Sequence, residues 1–169
     1  MNIMGKIIEK IQRILEKSIL NNNKASMIVS GGSSPTNLLH ALSSVDIEWE
    51  KVKVMLLDER LVSEKSEKSN EKYLKENFFL KSAKNAKYKS IRDLEIDKTI
   101  DLAILGLGSD GHFASIFPCH LDNNEFMDLA GEPKIIKTIK IGNPLVARLT
   151  MNLPAFLRVK NIIVIINSK

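Results

Sequence analysis

The stretch from Leu105 to Pro118, LGLGSDGHFASIFP, places an acid, a histidine and three glycines within a few residues of one another. A histidine with an ordinary pKa of about 6.5 can accept a proton from water at neutral pH. An acid two residues away can orient the ring or the water it activates, so His112 and Asp110 form a candidate pair for base-assisted attack of water on an electrophilic carbon. Gly106, Gly108 and Gly111 allow the backbone a positive φ or a close approach to a ligand. Taken alone, the same residues read equally well as a glycine-rich turn with a surface histidine, because short glycine patterns recur by chance.

Two loops upstream carry further chemistry. Ser30-Gly31-Gly32-Ser33-Ser34-Pro35 follows the apolar run Ser26-Met27-Ile28-Val29. Its backbone N–H groups are free to face an anion, and a helix beginning near Pro35 would add the positive end of its dipole. The loop therefore reads as a phosphate cradle or as a plain tight turn. Asp58-Glu59-Arg60 follows Val52 to Leu57 and reads as a paired-carboxylate site or as strand-end acids neutralised by Arg60. A tetrahedral intermediate needs hydrogen-bond donors for its oxyanion, and the amides of the glycine loops and the guanidinium of Arg60 are the candidates.

The elements that must position these loops follow from hydrophobic spacing. Ile7, Ile8, Ile11, Ile14, Leu15 and Ile19 recur at helical intervals, predicting an amphipathic helix over 4–20 that ends at Asn21-Asn22-Asn23. A strand over 26–29 leads through the first loop into a helix using Leu38, Leu39 and Leu42. A strand over 51–57 leads through Asp58-Glu59-Arg60 into a helix over 69–80, and a strand over 101–105 ends in the histidine loop. A strand over 134–141, a short helical stretch at 154–157 and a strand over 161–166 complete the chain. Strands alternating with helices predict an α/β fold, a doubly wound, mostly parallel sheet with helices on both faces, whose ligands bind beyond the carboxyl ends of the strands. All three loops lie at such ends. No repeat or linker composition divides residues 1–169, so a single domain is expected.

Bulk properties exclude several function classes. Hydrophobic residues at 44% and charged residues at 27% suit a globular protein. The net charge of +5 comes from lysines scattered among acids, and aromatic residues are only 5%, which argues against a nucleic-acid partner. Positive charge would instead steer a small anionic substrate. No apolar run is long enough for a membrane span, and charges interrupt the N-terminal apolar pattern, so a cytoplasmic protein without membrane contact is expected. Cys119 is the sole cysteine, which excludes an internal disulfide. No Cys/His cluster with metal-ligand spacing is present, and GLGSDG lacks the acid that a dinucleotide site requires, so no metal and no cofactor are expected. His40 and His120 fall outside the motif and read as structural.

Taken together, SGGSSP, LDERLVSEKSEKSN and GLGSDGHFASIFP stand in the order found in the 6-phosphogluconolactonase family, and Arg148 to Leu157 is similar to the stretch that follows them there. The resemblance covers most of the chain and places it in the superfamily shared with glucosamine-6-phosphate deaminase/isomerase. It implies hydrolysis of 6-phospho-D-glucono-1,5-lactone to 6-phosphogluconate in the oxidative pentose phosphate pathway, with His112 as general base and Asp110 and Arg60 assisting. It implies that the phosphosugar lactone is held by Ser30, Gly31, Gly32, Ser33, Asp58, Asn70, Gly108, Arg148 and Lys169. For Asn70, substrate hydrogen bonding stands beside a helix N-cap role shared with Ser69. The deaminase branch has glutamate where this chain has Phe117 and DEY where it has DER, which favours the lactonase branch. A non-catalytic sugar-phosphate-binding domain, a sensor or a remnant, is the third alternative. Family members carry a longer connection between Asn77-Phe78-Phe79 and Asp101 and continue beyond the Lys169 position, so a shortened member is expected. An uncovered apolar strand at 161–166 would favour association with another copy, and a homo-oligomer is expected.

Overall fold

The computed structural model describes residues 2–32 and 34–166. Helix α1, Ile3–Asn22, starts where the Asn2 side chain accepts the Gly5 N–H at 2.8 Å, and it ends where Asn23 turns left-handed at φ 56°. Its apolar stripe buries Ile11, Leu15 and Ile19, as the spacing predicts. The strands β1 (Ala25–Val29), β2 (Val52–Leu56), β4 (Lys87–Lys89), β5 (Leu102–Gly106) and β8 (Ile162–Ile165) form one parallel sheet in the order β4-β2-β1-β5-β8. Three further strands, β3 (Asp58–Arg60), β6 (Ile135–Lys137) and β7 (Arg148–Met151), form a small antiparallel sheet in the order β3-β7-β6.

Alternation along β1 divides the interior into two cores, because successive side chains leave a strand on opposite faces. Met27 and Val29 pack with α1, α2 (Thr36–Leu42) and α3 (Asn70–Asn77), together with Trp49 and Phe78. Ile28 faces the other way, toward Met151 of the small sheet and toward Phe126 and Phe156 of the one-turn helices α4 (Asn124–Met127) and α5 (Leu153–Phe156). The sheet is thus covered on both faces, by three longer helices on one and by a small sheet with two short helices on the other. No helix among the described residues is long and apolar enough to cross a membrane.

The connectivity fixes where a ligand can enter. From β1 the chain moves outward through β2 to β4, then returns to the opposite side of β1 for β5 and β8. The direction of winding therefore reverses between β1 and β5, and the crevice beyond their carboxyl ends is where open α/β sheets bind ligands. Across that crevice the Ser30 N–H donates to the Ile104 carbonyl at 2.9 Å, and the Gly106 N–H donates to Ser30 Oγ at 3.0 Å.

Two strands differ from the hydrophobic pattern. The run over 51–57 splits at Leu57, whose N–H donates to Val29 of the main sheet at 3.0 Å while its carbonyl accepts the Met151 N–H of the small sheet at 3.1 Å. Asp58 to Arg60 then belong to the second sheet. The run over 134–141 is regular only at Ile135–Lys137, because the Thr138 hydroxyl accepts the Arg148 N–H at 3.1 Å and takes the place of a ladder partner. At the far edge, β8 buries Ile163 and leaves Ile162 and Val164 each about half exposed.

Candidate active site

The three loops converge on one cavity of about 160 Å³ in that crevice, lined by Ser30, Gly31, Gly32, Asp58, Arg60, Asn70, Gly108, His112 and Arg148, among others. Ser33 and Lys169 lie outside the described residues. Gly31 is demanded by packing: a Cβ there would lie 2.2 Å from Asn70 Cγ. That close approach brings Asn70 into the cavity wall, where its Nδ2 donates to the Asp58 carbonyl at 3.0 Å and its buried Oδ1 has no partner among the described residues. The N-cap of α3 is Ser69, whose hydroxyl accepts the Lys72 N–H, so Asn70 is released from that task.

The acids of the DER loop do not form a pair. Glu59 is fully buried, and its carboxylate accepts the N–H groups of Arg60, Asn70 and Glu71 at 2.6, 2.8 and 2.7 Å and the Ser69 hydroxyl at 2.9 Å. It serves the open amides at the start of α3, where a negative charge is also favoured by the helix dipole. Asp58 leaves β3 on the opposite face, lines the cavity, and accepts the Ser115 hydroxyl at 2.5 Å. Ser115 carries no sequence signal for this role, since its partner is 57 positions away. Ala114, at φ 50°, is held in a conformation that costs a non-glycine residue about 1–3 kcal/mol just where the chain turns from His112 toward Ser115.

Arg60 and Arg148 are cross-strand neighbours in the β3–β7 pair. Like charges in register repel, and among the described residues neither guanidinium has a carboxylate within ion-pair distance. Arg60 donates from Nη1 to the Lys68 carbonyl at 3.0 Å, and its buried Nε has no partner among the described residues. Arg148 is 4% exposed and donates from Nε to the Ile141 carbonyl and from Nη2 to the Pro144 carbonyl. Burial lowers the pKa of Arg148, the Arg60 charge lowers it further, and Asp58 and Glu59 oppose the shift. Arginine remains a cation under such pressure, so the two side chains leave a concentrated positive potential at the cavity wall.

His112 also lines the cavity. Its Nδ1 lies 2.5 Å from Asp110 Oδ1, which also accepts the His112 N–H at 3.2 Å. These two hydrogen bonds hold the exposed Asp110 carboxyl below its ordinary range. With Nδ1 engaged, Nε2 makes no protein hydrogen bond among the described residues. Gly108 must be glycine, because a Cβ there would meet His112 Nδ1 at 2.2 Å.

The three glycine amides of the histidine loop are not available as oxyanion donors, contrary to the expectation from the glycines. Gly106 donates to Ser30 Oγ, Gly108 to the His112 carbonyl and Gly111 to the Gly108 carbonyl. The amides of Gly31 and Gly32, by contrast, have no partner among the described residues. Among the described residues, the Gly31 and Gly32 amides and the guanidiniums of Arg60 and Arg148 thus keep open donors at the cavity.

Comparison with known proteins gives the family. The sequence profile described as glucosamine-6-phosphate isomerases/6-phosphogluconolactonase matches residues 2–169. The 6-phosphogluconolactonase of Mesorhizobium japonicum is 32% identical over 167 residues, covering 89% of this chain and 68% of that protein. The Helicobacter pylori 6-phosphogluconolactonase is 32% identical over 66% of this chain and 56% of its own length. Among solved structures, a 6-phosphogluconolactonase from Shewanella baltica superposes with a TM-score of 0.82 at 29% identity, covering 95% of this chain and 75% of its own. That from Thermotoga maritima gives 0.79 at 25% identity. The chain thus spans roughly half to two thirds of the length of these curated relatives. With fold and sequence in agreement, the chain belongs to the 6-phosphogluconolactonase family and is shorter than the relatives it matches.

Proposed function

We propose that this chain hydrolyses 6-phospho-D-glucono-1,5-lactone to 6-phosphogluconate, acting as one sugar-phosphate-binding unit over residues 1–169. The observation that supports this reading is the pair of arginines, Arg60 and Arg148, which have no acidic partner among the described residues and line the same cavity as His112. The Gly31 and Gly32 amides and Arg148 hold the phosphate through charge-assisted hydrogen bonds. His112 takes a proton from water as the water oxygen bonds to the lactone carbonyl carbon, and Arg60 stabilises the oxyanion. Collapse of that intermediate breaks the bond to the ring oxygen, which leaves with the proton returned by His112 as the sugar hydroxyl. Asp110 orients the imidazole throughout. No step draws on a metal or cofactor.

Acid release from freshly generated lactone, corrected for spontaneous hydrolysis, tests the reading; a rate no higher than the uncatalysed one refutes it. Ammonia release from glucosamine 6-phosphate would move the assignment to the deaminase branch. Affinity for 6-phosphogluconate without turnover would make the protein a sensor. The phosphorylated substrate argues for a cytoplasmic setting. The half-exposed edge of β8 supports a homo-oligomer, measurable by sedimentation at several concentrations.

A further inference from the structure

Phe117 is 8% exposed, yet it belongs to neither hydrophobic core. Its ring stacks on the His112 imidazole with centroids 4.7 Å apart and planes 18° from parallel, and Arg148 Cζ lies 5.5 Å from the centre of the same ring. We propose that Phe117 is a positioning residue that sets the separation and orientation of the His112 imidazole and the Arg148 guanidinium, so that one ring couples the proton acceptor to the phosphate anchor. The proposal rests on the roles given above to those two residues.

Asp110 restrains one nitrogen of His112 from a largely exposed position, which leaves the imidazole plane to be fixed by something else. A flat stack does this, because tilting the imidazole loses contact over the whole face. Arg148 gains from the same ring through the attraction of a cation to its π face. Phe117 itself has little freedom. Its N–H donates to His120 Nδ1 at 3.2 Å and its carbonyl accepts the His120 N–H at 2.8 Å. The His120 ring in turn stacks on buried Phe126 at 4.2 Å. Beyond the ring, Gly142 leaves no slack: a Cβ there would lie 2.6 Å from Phe117 Cζ and 2.9 Å from Arg148 Nη2.

The test is a pair of double-mutant cycles with Phe117→Leu, which keeps apolar bulk and removes the flat face. In the parent, kcat should fall about 10–100-fold, as for a misplaced catalytic group. In a His112→Asn background the same change should lower the residual rate less than about twofold. The dissociation constant for 6-phosphogluconate should rise about 3–10-fold in the parent and stay unchanged in an Arg148→Ala background. Equal factors in parent and variant backgrounds, or no effect in the parent, would overturn the proposal. The His112 ring protons give a reading that needs no activity: stacking shields them, and Phe117→Leu should move their NMR signals downfield. An unchanged signal would also overturn it. If the parent does not hydrolyse the lactone, the catalytic reading fails by itself, while the affinity cycle and the ring-proton shift still decide the coupling. Should Phe117→Leu fail to fold, Phe117→Met provides another apolar, faceless side chain, unbranched and more adaptable to the space left by the ring.

Discussion

The two ends of the central sheet both collect positive charge, but they hold it differently. At the amino end, a cavity of about 460 Å³ is lined by Lys24, Lys51, Lys53, Lys87, Lys98 and Lys160. Its lysines are solvated and several are answered: Lys53 pairs with Asp97, Lys51 with Glu48 and Lys160 with Asp101. At the carboxyl end a cavity about a third as large holds guanidiniums with no acidic partner among the described residues, one of them almost wholly buried. Size therefore points the wrong way. A flexible ammonium in water gains little from one more anion, whereas a buried, oriented cation facing another cation has its demand for negative charge built in.

The largest test of this contrast is His112→Asn. It should lower kcat by roughly 10² to 10⁴ while leaving 6-phosphogluconate affinity nearly intact, and no single substitution at the amino end should come close. A folded His112→Asn protein with the parent's turnover would remove base catalysis by this residue. Next comes Arg148→Ala, for which KM should rise by the equivalent of about 1.5–3 kcal/mol, the worth of charge-assisted bonds in a desolvated site. Unphosphorylated gluconolactone should then be a poor substrate for the parent; equal efficiency on both lactones would break the phosphate assignment.

A smaller effect belongs to the amino end. Burial pushes the Asp101 carboxyl up, but the Lys160 ammonium, the Ser26 N–H and hydroxyl and the Ser18 hydroxyl outweigh it and hold the pKa below the ordinary value. A carboxyl lowered in the folded state contributes stability that is present above its unfolded pKa of about 3.9 and is lost as pH falls through the folded value. Asp101→Asn should cost about 1–2 kcal/mol near neutrality, with the difference from the parent closing below about pH 4, as thermal melts across that range would show. Its kcat/KM at pH 7 should match the parent's. Least of all, Lys98→Ala should change stability by under about 0.5 kcal/mol and kcat/KM by under about twofold. A larger change that persists at high salt would mean that the amino-end lysines act on the site.

Much of this arrangement was legible from local pattern. Met27, Val29, Leu102 and Ile104 form continuous apolar runs that end in glycine, and such runs mark buried parallel strands with loops at their carboxyl ends. Convergence of Ser30, Asp58 and His112 on one crevice follows from that alone. Pairings between distant residues were hidden. The adjacent acids Asp58 and Glu59 looked alike, yet β-strand alternation sends one to the cavity and the other beneath α3. The glycines of the histidine loop suggested free amides, but Gly106 reaches the distant Ser30 Oγ, while Gly108 and Gly111 are taken up within the loop by the carbonyls of His112 and Gly108. Leu57 gave no sign of a break, because an apolar residue serves a strand in either sheet.

That break has a consequence for how the molecule comes apart. One peptide group at Leu57 is hydrogen-bonded to both sheets, and the residues that follow it supply Asp58 and Arg60 to the cavity. Denaturant that loosens the small sheet must then pull on β1 through Val29, inside the core that contains Trp49. Ligand affinity and tryptophan emission should therefore vanish in a single transition at one denaturant concentration, making Trp49 a distant witness to the integrity of the crevice.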